Sequence, residues 1–172
     1  MQKQILTAVI VLVFLVVGLS GCIKDNVKED LVYENLEYGL SIKVPTGWKV
    51  NDASNEYGCY AELQGPIVED IRTSIIIGSY TLDDEDTFIS ECHYTVELYL
   101  NDPYKTVYFH NETTVNGIDA YEIVYLWYDI KYKSIMIERN QTMFYFDYCS
   151  LETTYDNYLN DFNESMNSLV LR

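Results

Sequence analysis

The chain has 172 residues, 48% of them hydrophobic and 15% aromatic, with a formal net charge of -16 and a pI near 4.2. The aromatic content excludes a disordered chain, and a single long apolar run excludes a polytopic membrane protein. With 11 Lys and Arg against 27 Asp and Glu, no basic face is available to neutralise phosphates, so nucleic acid is excluded as a partner. These values describe one acidic domain behind a short amino-terminal segment.

Residues 5–19 carry no charge and follow Lys3, the arrangement of a secretory signal. At 1.5 Å per residue this run reaches about 22 Å as a helix, short of the roughly 30 Å hydrocarbon core of a bilayer. It therefore reads as a signal-peptide core rather than a membrane span. An uncleaved anchor helix is the alternative, since a short run can tilt or thin the bilayer. Leu19-Ser20-Gly21-Cys22 follows at once and resembles the lipobox of prokaryotic lipoproteins, in which the cysteine is lipidated and begins the mature chain. Either way the domain is expected outside the cytoplasm, on the outer face of the cytoplasmic membrane. Residues 1–21 hold one base and no acid, so their removal leaves 10 basic and 27 acidic groups, a net charge of -17. Such a surface keeps a domain soluble and repels anionic headgroups. Residues 22–30 are mostly polar and suit a tether.

Three further cysteines, Cys59, Cys92 and Cys149, permit one disulfide and one thiol in an oxidising compartment, with three pairings open. Cys92 falls on an apolar helical stripe, which makes it the expected free thiol and Cys59–Cys149 the expected bridge. A zinc site built from these cysteines and His93 lacks any close C-x-x-C pair.

Past the tether the pattern is mainly of strands. Residues 31–36 and 40–44 read as extended, with Glu37-Tyr38-Gly39 as a turn and Pro45-Thr46-Gly47 ending the second strand before Trp48. Residues 59–63 and 71–80 read as two strands joined around Gly65-Pro66, the second apolar enough for the centre of a sheet. A helix follows, because Phe88, Ile89, Cys92, Val96 and Tyr99 recur at helical spacing behind Asp83, Asp84, Glu85 and Asp86, where negative charge favours a helix start. As a cation site, Asp83, Asp84 and Asp86 lack the alternating ligands and central glycine of a calcium loop. The second half reads as a meander over residues 106–110, 118–129, 130–139 and 142–149, with Asn140-Gln141 as a hairpin turn. Along residues 120–127 both alternating sets carry apolar side chains, so both faces of the sheet need cover, and helices are expected on each. A last helix carries Tyr155, Leu159, Phe162, Met166 and Leu169 on one stripe with Tyr158 beside it, and Thr153 with Asp156 resembles a capping box.

The run from Tyr38 to Trp48, Y-G-L-S-I-K-V-P-T-G-W, resembles the opening of PsbP-like domains, where a strand bearing G-[FL]-S-[IL] runs into a proline and a tryptophan. Gly117-Ile118-Asp119-Ala120-Tyr121-Glu122 resembles the start of that family's central strand, and the late strand, last helix and Ser168-Leu169 resemble its close. The resemblance spans residues 31–171. It implies the α+β Mog1/PsbP-like fold, an α/β/α sandwich whose mainly antiparallel sheet is flanked by helices. Gly39, Pro45 and Trp48 are residues of a turn, a strand stop and a core plug, so the motif speaks to fold and not to activity. Its best-known relatives, an extrinsic subunit of the photosynthetic oxygen-evolving complex and a nuclear small-GTPase-binding protein, act by binding. With its lipobox, the chain resembles the PsbP-related lipoproteins of prokaryotes, archaeal ones in particular.

Catalysis needs a base beside a nucleophile, and only His93 and His110 are offered. His93 adjoins Cys92, but neighbours on a helix point about 100° apart. His110, expected at a strand end, would have to meet Cys149 across the fold. No G-x-S-x-G, H-E-x-x-H or glycine-rich phosphate loop is present, so neither an enzyme nor a cofactor is expected. The 17 tyrosines are the compositional excess. Most alternate along strands or lie on helix stripes and suit the core, whereas Tyr99, Tyr104 and Tyr108 flank the helix-to-strand loop and are the interface candidates. Asn111, Asn140 and Asn163 each begin an N-x-[ST] acceptor for glycosylation, Asn111 and Asn140 being expected in loops. The expected function is a membrane-anchored binding or assembly module with a protein partner at the cell surface. The alternatives are a small-ligand pocket or enzyme near His110 and Cys149, and a cation-binding protein.

Overall fold

The structure, a computed structural model, describes residues 31–52 and 58–172. The expected signal segment, Cys22 and the tether lie outside the described residues. Strands β1 (Val32–Asn35), β2 (Leu40–Lys43), β3 (Lys49–Asp52), β4 (Cys59–Val68) and β5 (Ile71–Thr81) precede helix α1 (Phe88–Asn101). Strands β6 (Lys105–Val115), β7 (Ile118–Trp127), β8 (Ile130–Arg139) and β9 (Thr142–Leu151) then run as a meander into helix α2 (Tyr155–Asn167) and the short strand β10 (Val170–Leu171). Seven strands form one sheet in the order β3-β4-β5-β9-β8-β7-β6, and β1, β2 and β10 form a second, with every pair antiparallel. This is the expected α+β sandwich.

Hairpin chemistry sets the register. Asn140 and Gln141 both take positive φ, the paired left-handed residues of a two-residue turn that matches strand twist, and Asn116 with Gly117 does the same between β6 and β7. The expected junction at Gly65-Pro66 is corrected: both lie inside β4, where the register shifts between Gln64 and Ile67, and the turn is formed by Glu69 and Asp70 at positive φ. Pro66 is tolerated because a bulge leaves a residue outside the ladder. Gly65 admits the Trp48 ring, since a Cβ there would stand 2.8 Å from the indole.

Two cores lie on opposite faces of the large sheet. Leu63, Ile75, Ile77, Ile137, Phe146 and Tyr148 project to one face and meet Phe162 and Met166 of α2 together with Leu40, Ile42 and Trp48. Tyr121, Ile123, Tyr125, Met136 and Met143 project to the other and meet Cys92 and Val96 of α1. Helix α1 lies over β6 to β8, while α2 lies over β9 and β2, so the helix on each face covers one side of the sheet. Thr87 caps α1 in a reciprocal box with Ser90, a start signal that the acidic run before it conceals. The capping box expected at Thr153 and Asp156 does not form: a 3-10 turn over Glu152–Thr154 shifts the start, and α2 begins after Thr154 with no side-chain cap. Among the described residues no helix is long and apolar enough to cross a membrane.

Candidate functional site

One end of the sheet gathers the rings that the core leaves over. Lys105, Trp127, Ile130 and Leu151 form the terminal row of β6 to β9 there. Tyr104, in the turn between α1 and β6, stacks on Tyr128 of the β7–β8 turn at 5.3 Å, and Tyr128 meets Trp127 at 6.0 Å. The chain of rings continues inward through Tyr132 at 6.4 Å from Trp127, Tyr125 at 4.8 Å and Tyr99 at 4.5 Å. The Lys105 ammonium sits 3.9 Å from the Tyr99 centroid and 5.5 Å from that of Trp127, and it pairs with Asp102 at 3.6 Å. Such contacts hold the cation over the rings and order the outer aromatic residues.

The three expected interface tyrosines separate. Tyr104 is 61% exposed and belongs to this end. Tyr99 is half-buried beneath Lys105, and its phenol is pushed up by burial. Tyr108 points to the opposite face of the edge strand, where its hydroxyl donates to Glu152 and Lys131 stands 5.5 Å from its ring. Alternation along β6 accounts for the side, because Tyr108 follows Val107, which packs with Tyr125 on the α1 face. Trp127 and Tyr128, the partners of Tyr104, were hidden in a run that reads as continuous strand.

Asp147 stands behind the inner rings on the same face. Its neighbours across the ladder are Ile76 and Ser134, and the Ser134 hydroxyl donates to its carboxylate. Burial raises its pKa to about 6, against the smaller opposing effect of that hydrogen bond. Burial likewise pushes the phenols of Tyr125 and Tyr132 upward and the Cys149 thiol to about 12. The phenols and the thiol stay protonated at neutral pH, and a cysteine held as thiol is a poor nucleophile.

The ligand or catalytic pocket expected near His110 and Cys149 is corrected. His110 sits within β6 rather than at a strand end, and the ladder places Cys149 three strands away, about 16 Å by strand and residue spacing. His110 instead shares a 2.8 Å hydrogen bond between Nδ1 and the Tyr121 hydroxyl, while the His93 ring packs edge-on to Tyr121 at 5.9 Å. Both histidines therefore converge on Tyr121, His110 from the neighbouring strand and His93 from α1. Cys59, Cys92 and Cys149 are all free thiols. The Cys59–Cys149 bridge is also corrected: Cys59 faces Gly78 and Cys149 faces Ser74 on opposite edges of β5, about 16 Å apart against the roughly 7 Å limit for a disulfide.

Asn111 lies within β6 rather than in a loop, Asn140 occupies its turn, and Asn163 is half-buried on α2. Asp83, Asp84 and Asp86 are exposed ahead of α1, and among the described residues no three His, Cys, Asp or Glu side chains are placed to hold a metal ion together. A cleft of about 330 Å3 opens between β6 to β8 and α2, where Glu122 and Lys133 pair at 3.2 Å beside Thr113, Asn163 and Phe162. A groove of about 400 Å3 lies at the other end of the sheet beside Tyr38, Arg139 and Phe144.

No protein-family model matches the sequence, and no curated protein matches it. Solved structures do match. The solution structure of CyanoP, the cyanobacterial PsbP of Synechocystis sp. PCC 6803, aligns at TM-score 0.64 and 13% identity, covering 90% of this chain and 99% of its own. PA94 of Pseudomonas aeruginosa, described as a putative regulator of unknown function, aligns at 0.60 and 15% identity over 83% and 97%. LpqN of Mycobacterium tuberculosis, described as involved in cell envelope biogenesis, aligns at 0.59 and 11% identity over 83% and 90%. Near-complete coverage with so little identity is a statement about architecture, and the architecture of this chain is the PsbP-like fold.

Proposed function

We propose that the chain is an exported lipoprotein, lipidated at Cys22, that works at the outer face of the cytoplasmic membrane by binding rather than by catalysis. The observation that carries this reading is the exposed aromatic end. A strongly acidic domain has no solubility reason to display Tyr104, Trp127 and Tyr128 together, and contiguous exposed apolar surface marks a contact site. The separation of His110 from Cys149 and the protonated state of the cysteines support the non-enzymatic part. The description of LpqN as involved in cell envelope biogenesis supports an envelope role.

The proposed working unit is a domain held near the membrane by its tether, with a protein partner at the cell surface. Two experiments test it together. Cys22→Ser is expected to move the protein from the membrane to the soluble fraction. Cross-linking of the native protein in its own membranes, followed by mass spectrometry, is expected to capture a reproducible protein partner. A Cys22→Ser variant that stays in the membrane would sink the lipid anchor, and a clean monomer after cross-linking would sink the assembly role.

A further inference from the structure

Tyr104, Trp127 and Tyr128 are 61%, 42% and 62% exposed, and the end of α1 adds Leu98 and Leu100 at 51% and 61%. Tyrosine and tryptophan pair an apolar body with a polar tip, the combination that settles at the headgroup level of a bilayer. Lys105 stands among these rings, on a stem long enough to lay its methylenes on apolar surface and keep the ammonium in water, while Lys131 lies on the opposite face over Tyr108 and Tyr155. A glycan would need free ring faces. Here Tyr104 and Tyr128 turn their faces on each other at 24°, and leucines offer nothing to sugar hydroxyls.

The chain path puts the same occupant within reach. The carbonyl of Leu31, the first described residue, accepts from the backbone N–H of Val44, which lies five residues before Lys49. Lys49 opens β3 in the row Lys49, Gln64, Ser74, Cys149, Tyr132 and Tyr125, two residues short of the terminal row that holds Trp127. From a lipidated Cys22, residues 22–30 extend to at most about 30 Å. A tether of that reach holds the domain at high effective concentration over the lipid, so even a weak surface contact is populated.

We infer that the aromatic end docks on the lipid bilayer, with Tyr104, Trp127, Tyr128 and the flanking leucines at headgroup depth; this rests on the lipid-anchor reading above. Apolar insertion drives the contact, not charge. The lysine charge near this end is matched by carboxylates, Asp102 being paired to Lys105 and Glu152 accepting from Tyr108 beside Lys131. Docking in this pose turns the opposite end, with the Asn116-Gly117 and Asn140-Gln141 turns, away from the membrane toward a partner.

The test uses tryptophan as the reporter. The chain has two tryptophans, and Trp48 is 6% exposed beneath Gly65. The full chain, expressed with its own amino-terminal segment and purified from membranes in detergent, is reconstituted into phosphatidylcholine vesicles with brominated acyl chains, a contact quencher. The wild type is compared with Trp127→Phe. The expected result is that the chain floats with the vesicles and that the emission contributed by Trp127 is mostly lost. The loss is expected to persist in about 1 M salt, where the Debye length is about 3 Å. A double variant, Tyr104→Ser with Tyr128→Ser, is expected to float and to recover the emission. A chain that floats while Trp127 stays bright overturns the docking and leaves the anchor standing. A chain that does not float overturns both, and a Trp127 response to soluble oligosaccharide but not to vesicles assigns the end to a glycan and overturns the docking.

Discussion

Replacing Asp147 by asparagine isolates the buried carboxyl behind the aromatic end. Its pKa rises from 3.8 in the unfolded reference to about 6 in the fold, chiefly because burial penalises the charged form. Between those two values the native state binds more protons than the unfolded state, so the contribution of Asp147 falls as pH rises from about 4 through 6 and is then flat. At 1.36 kcal/mol per unit, a shift of about 2 units is worth about 3 kcal/mol. Some residual exposure of Asp147 lowers the expected effect to about 2 kcal/mol. The asparagine amide keeps an oxygen for the Ser134 hydroxyl and carries no charge. Asp147→Asn is thus expected to match the wild type in stability near pH 4 and to exceed it by about 2 kcal/mol at pH 7 to 8. Urea titrations of both proteins from pH 4 to 8 provide the measurement. Taking the difference removes the opposite trend from Glu62, whose pKa is lowered overall by hydrogen bonds from Gln64 and Ser74 despite its own burial. A difference that does not change with pH would refute the reasoning, because it would mean that the native carboxyl titrates as it does in the unfolded chain.

Gly65→Ala is expected to destabilise the domain by about 1–3 kcal/mol, since the new methyl meets the Trp48 ring at 2.8 Å and the indole is wedged in the core; chemical denaturation reads the loss, and a neutral outcome would mean that the ring shifts freely. Gln141→Gly is expected to add about 0.5–1 kcal/mol, because Gln141 holds φ 61° in a turn that favours glycine there and its backbone N–H bond to Glu138 is kept; a loss would show that the added freedom of the unfolded chain outweighs the relief of the left-handed residue. Tyr104→Ala is expected to change stability by less than about 0.5 kcal/mol, as for other exposed positions, while weakening whatever the aromatic end contacts; an unfolded variant would show the ring to be structural.

Much of the architecture was legible in one dimension because local chemistry dictates it. The Asn140-Gln141 turn, the apolar run of β5 and the stripe of α1 each carry their own signal, and the structure bears them out. Where the sequence misled, a local rule met a non-local constraint. Pro66 reads as a turn and sits in a bulge, Thr153 reads as a cap and sits in a 3-10 turn, and His110 reads as a strand end inside an eleven-residue strand. Strand β3 was missed because its four residues are all exposed and its pattern has no alternation.

The candidate site was harder to see for a reason that follows from the strand order. Its rings come from the α1–β6 turn, the end of β7 and the β7–β8 turn, and they become neighbours only once β6 and β7 are paired in register. Composition identified tyrosine as the excess residue but could not separate Tyr99, which packs inward, from Tyr104, which faces water. The separation comes from one geometric fact: α1 ends at Asn101, and the Asp102 side chain accepts from the Tyr104 backbone N–H to turn the chain outward. An Asx turn of that kind throws the following ring off the helix and into solvent, where it can only stack on another exposed ring or on a partner. Tyr128 stands at φ 53° in the facing turn and supplies the first of these. Two outward turns on adjacent connections thus build an aromatic surface that no helical or strand periodicity could have announced, because neither residue lies in a helix or a strand.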